Sequence, residues 1–210
     1  MQNEDLIKIL PEKSCKTSHI PLEHSQKLLS ELSEEEKVEE IARHFSQIMK
    51  ILGLDLNHES LKKTPKRIAK MYVKELFQGL DPDNFPKITY FPHTTSQRAQ
   101  EVITIQKIKV HSMCEHHFIP FFGTATVKYI PKGKILGLSK INRVVDYFCR
   151  RPQLQERLTR QIADSLSLLL ETEDISVAIA AKHFCVLLRG VQDVESETVT
   201  KVDLGKFQNI

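Results

Sequence analysis

Long apolar runs are missing from this chain, and so are the usual marks of export. No stretch approaches the roughly 18 apolar residues that a helical membrane span needs. The opening MQNEDLIKILPEKSCKTSHI has neither a basic start nor an apolar signal core. The expectation is a cytoplasmic protein without a membrane anchor. An excess of one charge is missing too, since 30 basic residues stand against 27 acidic ones. Total charge therefore gives no reason to expect nucleic acid or an anionic surface as partner. Cysteine is scarce: Cys15, Cys114, Cys149 and Cys185 are too sparse to staple a chain of 210 residues. In a reducing compartment, a Cys set among His residues is more naturally a metal ligand or a nucleophile. There is no internal repeat, and the short SEEEKVEE run reads as a solvated helix face.

What is present divides the chain in three. Residues 1–32 are polar and interrupted by Pro11 and Pro21, the pattern of a flexible arm. Residues 33–100 form a helical region and a linking loop. Ser33 with Glu36 fits a capping box, and Val38, Ile41, Phe45, Ile48 and Leu52 recur at helical spacing until Gly53. A second helix is expected from Thr64 as N-cap and Pro65 at N1, through Ile68, Met71, Tyr72 and Leu76 to Gly79. The stretch DPDNFPKITYFPHTTSQRAQ then reads as a long loop.

From residue 101 to 210 the character changes. EVITIQKIKV and GTATVKYI are β-rich, with Ala125, Val127 and Tyr129 on one face. Ser139 is expected to cap a helix through INRVVDYFCRR, and Pro152 to open another, PQLQERLTRQIADSLSLLL. The apolar stripe of that second helix is Leu154, Leu158, Ile162, Leu166 and Leu169. ISVAIAAKHFCVLL and ETVTKVDL read as closing strands. The order is strand, strand, helix, helix, strand, strand.

Between the first two strands lies HSMCEHHFIPFFG, with a Cys, a Glu and two His at consecutive positions. Cys114 and His117 are three apart and can converge on one ion, while His116 projects about 100 degrees away in a helical turn. A His left free beside a metal titrates in the range useful for proton transfer. AKHFCVLLRG supplies the next donors, and in a strand His183 and Cys185 point to the same face. With Cys185 as third ligand, a zinc ion keeps one position for water, as catalytic zinc does. With His183 added, the site would be closed and structural, and spacing alone does not choose between these.

Anion-binding residues cluster elsewhere. Ser139, Lys140 and Arg143 fall in the expected first turn of a helix, where backbone N–H groups favour phosphate. Arg189 adds a fork-shaped donor near the metal candidates, and Arg67 and Lys70 lie on an earlier helix. Glu156 sits early on a helix, where capping alone accounts for a carboxylate. A carboxylate is also the double acceptor that matches the two adjacent donors of guanine.

CEHHF, GLSKINRVVDYFCRRPQLQERLTRQI and AKHFCVLLRGV, with TPKRIAKMY upstream, strongly resemble GTP cyclohydrolase I over about residues 34–200. The resemblance implies an α+β tunnelling fold (T-fold), a four-stranded antiparallel sheet with two helices on one face, preceded by N-terminal helices. It implies zinc on Cys114, His117 and Cys185, with His116 and His183 as acid/base residues. Glu156 with Gln155 would hold guanine. Ser139, Lys140, Arg143 and Arg189, with Arg67 and Lys70, would hold the triphosphate of GTP. The reaction implied is hydrolysis at guanine C8, release of formate and rearrangement to 7,8-dihydroneopterin triphosphate, in a homo-oligomer, a decamer with sites at subunit interfaces. The resemblance also places Glu115 in the pocket, with its role open. Two other readings compete: a non-catalytic zinc module with four protein ligands, and a T-fold nitrile reductase using a Cys nucleophile and NADPH.

Overall fold

The computed structural model describes residues 32–93 and 101–209. The arm expected over residues 1–32 lies outside these, Leu32 apart. Helix α1, Glu34–Ile51, begins with the capping box that the sequence predicts. Ser33 Oγ accepts from Glu36 N at 3.3 Å, and Glu36 Oε2 accepts from Ser33 N at 2.7 Å. Its buried face, Val38 and Ala42, meets Ala69 of α2, Thr64–Met71. That second helix departs from expectation at its start. Lys63 is the N-cap, and Thr64 and Pro65 are already helical. The chain arrives in a turn, with Thr64 N donating to Leu61 O at 2.9 Å, so no side-chain cap is required. A π-helical turn, Tyr72–Leu76, follows it. Gly79 then passes so close to the rest of the fold that a Cβ there would lie 2.1 Å from Tyr147 O.

The expected long loop contributes a strand. Strand β1, Tyr90–Pro92, pairs antiparallel with β4, Lys134–Leu136, and Lys134 Nζ lies 4.4 Å from the centre of the Tyr90 ring. The main sheet holds β2 (Ile103–Cys114), β3 (Ile119–Tyr129), β6 (Ile175–His183) and β7 (Thr198–Asp203) as an antiparallel run in that order. A two-residue strand, β5 (Pro152–Gln153), adds parallel to the end of β2. The four-stranded antiparallel sheet is therefore present, with a short fifth edge. Gly123 of β3 is pinned where β6 comes close, since a Cβ would meet Ala180 O at 1.9 Å.

Two helices cover one face: α3, Leu138–Cys149, and α4, Gln155–Leu170. Ile141, Val144, Val145 and Phe148 of the first, and Leu158, Ile162, Leu166 and Leu169 of the second, pack with Ala125, Val127, Val177 and Ile179 in one core. Both helix starts need correction. Gly137, not Ser139, is the N-cap of α3, because Gly137 N is tied to Thr89 O at 3.1 Å and its backbone stays extended. Pro152 does not open α4. Pairing of Pro152 and Gln153 with Met113 and Cys114 holds them as strand, so Leu154 becomes the N-cap and stands outside the apolar stripe. The chain likewise leaves β6 at His183 and turns through a short helix, α5, Phe184–Leu187, so Cys185 is not in a strand. Among the described residues no helix is long and apolar enough to cross a membrane.

Candidate active site

The first half of HSMCEHHF is strand. β2 runs through Cys114, and only Glu115 to Phe118 form the connection to β3. The turn closes when His117 N and Phe118 N both donate to Cys114 O, at 3.4 and 2.9 Å, with Phe118 in the left-handed region at φ 52°. Register then brings the second segment to the same end of the sheet. Phe121 pairs with His183 across β3 and β6, and α5 folds Cys185 back toward β3. Among the described residues, the donor atoms of Cys114, His183 and Cys185 all lie within 4.8 Å of one another. Two thiols and an imidazole so placed suit zinc in softness and number. Burial and the adjacent Cys114 push the Cys185 thiol up from its ordinary range. Cys149 is a different case. It is 1% exposed and burial pushes its thiol up to about 12, so it belongs to the core.

His183 is gripped on two sides. Its ring stacks on Phe121 at 4.5 Å, and Nε2 lies 2.8 Å from Gln155 Oε1. The amide end of Gln155 faces Thr198 O, Ile179 O and Thr200 Oγ1 at 2.9, 3.1 and 3.1 Å, which fixes its oxygen toward the histidine. Nε2 of His183 therefore carries a proton, and in the neutral ring the lone pair sits on Nδ1. Burial lowers the pKa of His183, and the charge of Glu156 raises it again in part.

The remaining expected residues are spread more widely. His117 is not in the thiol cluster; its Nε2 lies 3.3 Å from Arg189 Nη1. A guanidinium only donates, so this contact engages the lone pair of His117. His116 is exposed on the turn, its ring centre 6.3 Å from that of His117. Gln155, expected beside Glu156 at guanine, is 1% exposed and turned inward, whereas Glu156 is exposed. Ser139 and Lys140 lie at the start of α3. Arg143 faces a cleft of about 270 Å³ that it shares with Gln78, Asp146, Tyr147 and Arg150, not with the thiols. Arg67 and Lys70 are exposed on α2. The sequence reading did not anticipate Arg157, paired with Glu115, or the stacking of Phe121 on His183. The polar run Gln153, Gln155, Arg157 just ahead of the apolar stripe of α4 was the available signal.

The model of the family described as GTP cyclohydrolase I matches residues 41–210. The chain belongs to this family. It is 49% identical over 189 residues to the GTP cyclohydrolase 1 of Tolumonas auensis, covering 90% of this chain and 84% of that one. It is 51% identical over 179 residues to the GTP cyclohydrolase 1 of Photobacterium profundum, covering 85% and 82%. The Wigglesworthia glossinidia brevipalpis GTP cyclohydrolase 1 is 50% identical over 172 residues, covering 82% and 79%. For a GTP cyclohydrolase I family member, the thiol and imidazole cluster at one end of the sheet is the natural place to look for chemistry.

Proposed function

We propose that the protein is a cytoplasmic GTP cyclohydrolase I, hydrolysing GTP at guanine C8 with release of formate and formation of 7,8-dihydroneopterin triphosphate. The observation that carries this reading is the meeting of Cys114 and Cys185, far apart in sequence, beside His183 in a chain of this family. Cys114, Cys185 and His117 would hold zinc, His117 turning from Arg189 to do so. When bound, zinc supplies a Lewis acid that makes water nucleophilic near neutral pH.

The chain's own residues would do the rest. His183, once protonated at Nδ1 as well, donates that proton at purine N7, which makes C8 more electrophilic; Gln155, bonded at Nε2, and Phe121 keep the ring in place for this. His116, on the exposed turn, moves protons in the later ring-opening and rearrangement steps. Glu156, exposed beyond Gln155, accepts from the ring N–H and amino group of guanine. The triphosphate falls to Ser139, Lys140, Arg143 and Arg189, with Arg67 and Lys70 as further contacts. Ser139 precedes Cys149 by ten residues on α3, about 15 Å of helix, and the Cys149 end leads into β5 beside Cys114. That separation supports a site completed by a second copy at a subunit interface, and the family resemblance makes a homodecamer the assembly proposed.

The test is to incubate purified protein with GTP, with and without chelator, and to measure formate together with the fluorescence of the oxidised pterin. Metal-dependent formation of both is expected. His116→Ala should keep its zinc and lose formate release; a variant that lost the zinc would place His116 among the ligands. The place of His183 within 4.8 Å of both thiols also favours a closed structural site with His183 as a ligand. Stoichiometric zinc without formate would establish that alternative.

A further inference from the structure

Of the four consecutive side chains Cys114 to His117, Glu115 has no part in the reaction described above, yet the fold holds it more firmly than either histidine. Its side chain is 22% exposed and receives a charge-assisted hydrogen bond from Arg157 Nη2, whose own side chain is 9% exposed. Arg157 is fixed in turn. Its Nε donates to Gln153 Oε1 at 3.1 Å, and Gln153 Nε2 donates to Phe148 O and Gln161 Oε1, both at 2.9 Å. Glu115 N donates to Gln153 O at 3.1 Å, which carries the β2 to β5 ladder one bond beyond Cys114. Backbone and side chain of Glu115 are thus tied to one short segment at the entry of α4.

The turn needs such a tie. Within itself it has only the bonds from His117 N and Phe118 N to Cys114 O, and it carries a non-glycine residue at positive φ. His116, His117 and Phe118 are exposed. Meanwhile Gln155, two positions before Arg157, fixes His183 on β6. Residues two apart on a helix point about 200 degrees apart, so the first turn of α4 reaches both sides of the site. One side chain goes to each, and Glu156 stands between them facing solvent.

We infer that Glu115 and Arg157 are positioning residues. Their ion pair locks the turn to α4 and so fixes the backbone that carries His117 beside Cys114 before any metal arrives. This rests on the metal reading above. Partners that orient metal ligands through a second layer of contacts typically govern metal affinity by about 10- to 100-fold when removed.

The experiment uses the purified protein stripped of metal and reloaded with Co²⁺, comparing wild type with Glu115→Gln, Arg157→Met and the double variant. Glu115→Gln keeps the shape but removes the charge that makes the ion pair, so it reports even if Arg157→Met does not fold; thermal melting identifies that case. The readouts are the thiolate-to-cobalt absorption band and the rate of cobalt transfer to a chromophoric chelator. Expected are a weakened, shifted band and transfer about 10- to 100-fold faster in each single variant. The double variant should be no worse than the worse single one, because both break the same contact. Transfer rates within twofold of wild type with an unchanged band, or losses that multiply in the double variant, would overturn the inference alone. A wild type with no thiolate band would overturn the metal reading and the inference together.

Discussion

Replacing Gln155 with leucine separates what the side chain does for stability from what it does for chemistry. Its Nε2 has two protons for the oxygens of Thr198, Ile179 and Thr200, and its Oε1 takes one bond from His183. That amounts to about three full hydrogen bonds in a place that is 1% exposed. At about 1 kcal/mol net for each, some 3 kcal/mol is lost. Leucine is of similar size and recovers about 1 kcal/mol by burying a more apolar surface. A net loss of about 2 kcal/mol lowers the melting temperature by roughly 4–8 °C in a chain of this length. The effect on catalysis is larger, because His183 keeps its stack on Phe121 but loses the bond that sets its rotation. A misplacement near 1 Å costs on the order of 100-fold, so kcat for formate release should fall by about that much. Zinc content should not change, since Gln155 touches none of the proposed ligands. Calorimetry, metal analysis and a formate assay on the same preparation give the three readings. A melting point lowered as stated, with kcat within threefold of wild type, would refute the claim that Gln155 orients a catalytic His183.

Three other outcomes follow from the geometry. Gly123→Ala forces a Cβ to within 1.9 Å of Ala180 O and 2.6 Å of Ala181 Cα. These are backbone atoms that cannot swing aside, so the loss should exceed the usual 1–3 kcal/mol of overpacking; a urea midpoint equivalent to less than about 1 kcal/mol would contradict the close approach of β3 and β6. Glu156→Gln turns one of the two acceptors proposed for guanine into a donor. A charged hydrogen bond is worth about 1.5–3 kcal/mol, so kcat/KM for GTP should drop about 10- to 150-fold at unchanged zinc content, and an unaltered value would remove Glu156 from the guanine site. His111 has its pKa lowered from the ordinary 6.5 by burial, by Lys109 and by Arg150, with Asp146 opposing. The unfolded chain then takes up the proton first, so stability falls as pH drops below 6.5 toward the lower folded value; His111→Gln should flatten the fall in melting temperature between pH 7.5 and 5.5, and parallel curves for the two proteins would exclude this.

Periodicity and caps carried the fold a long way. The capping box of Ser33 and Glu36, the stripe from Leu158 to Leu169 and the inward face of Ala125, Val127 and Tyr129 are local patterns, and local physics realises them. The misplaced starts of α3 and α4 share a cause that no local rule contains. Gly137 is held extended by Thr89, and Pro152 is drawn into strand by Met113, so partners distant in sequence decide both boundaries. The same holds at the site. The convergence of Cys114 with Cys185 was legible from residue chemistry and resemblance, although the reason given for it, a shared strand face at His183 and Cys185, is replaced by a helical turn. The inward turn of Gln155 was not legible, because its acceptors lie on β6 and β7 and are specified only by packing.

Why Cys114, Glu115, His116 and His117 stand together now has a geometric answer. A strand alternates its side chains, and β2 ends with Cys114 buried against the core, so the next residue must point away from it unless the chain turns. The chain does turn there, and each position in a four-residue connection faces a different direction. Glu115 goes to Arg157, His117 goes to Arg189, and His116 goes to solvent. Crowding donors into one turn therefore does not crowd them onto one ion. On the proposed function, it distributes a ligand, an anchor and a proton carrier around a single fixed backbone. A longer loop could present the same residues, but each would bring its own freedom to be lost on binding. The anchor is what makes so short a turn usable, because it joins the turn to the helix that also holds His183.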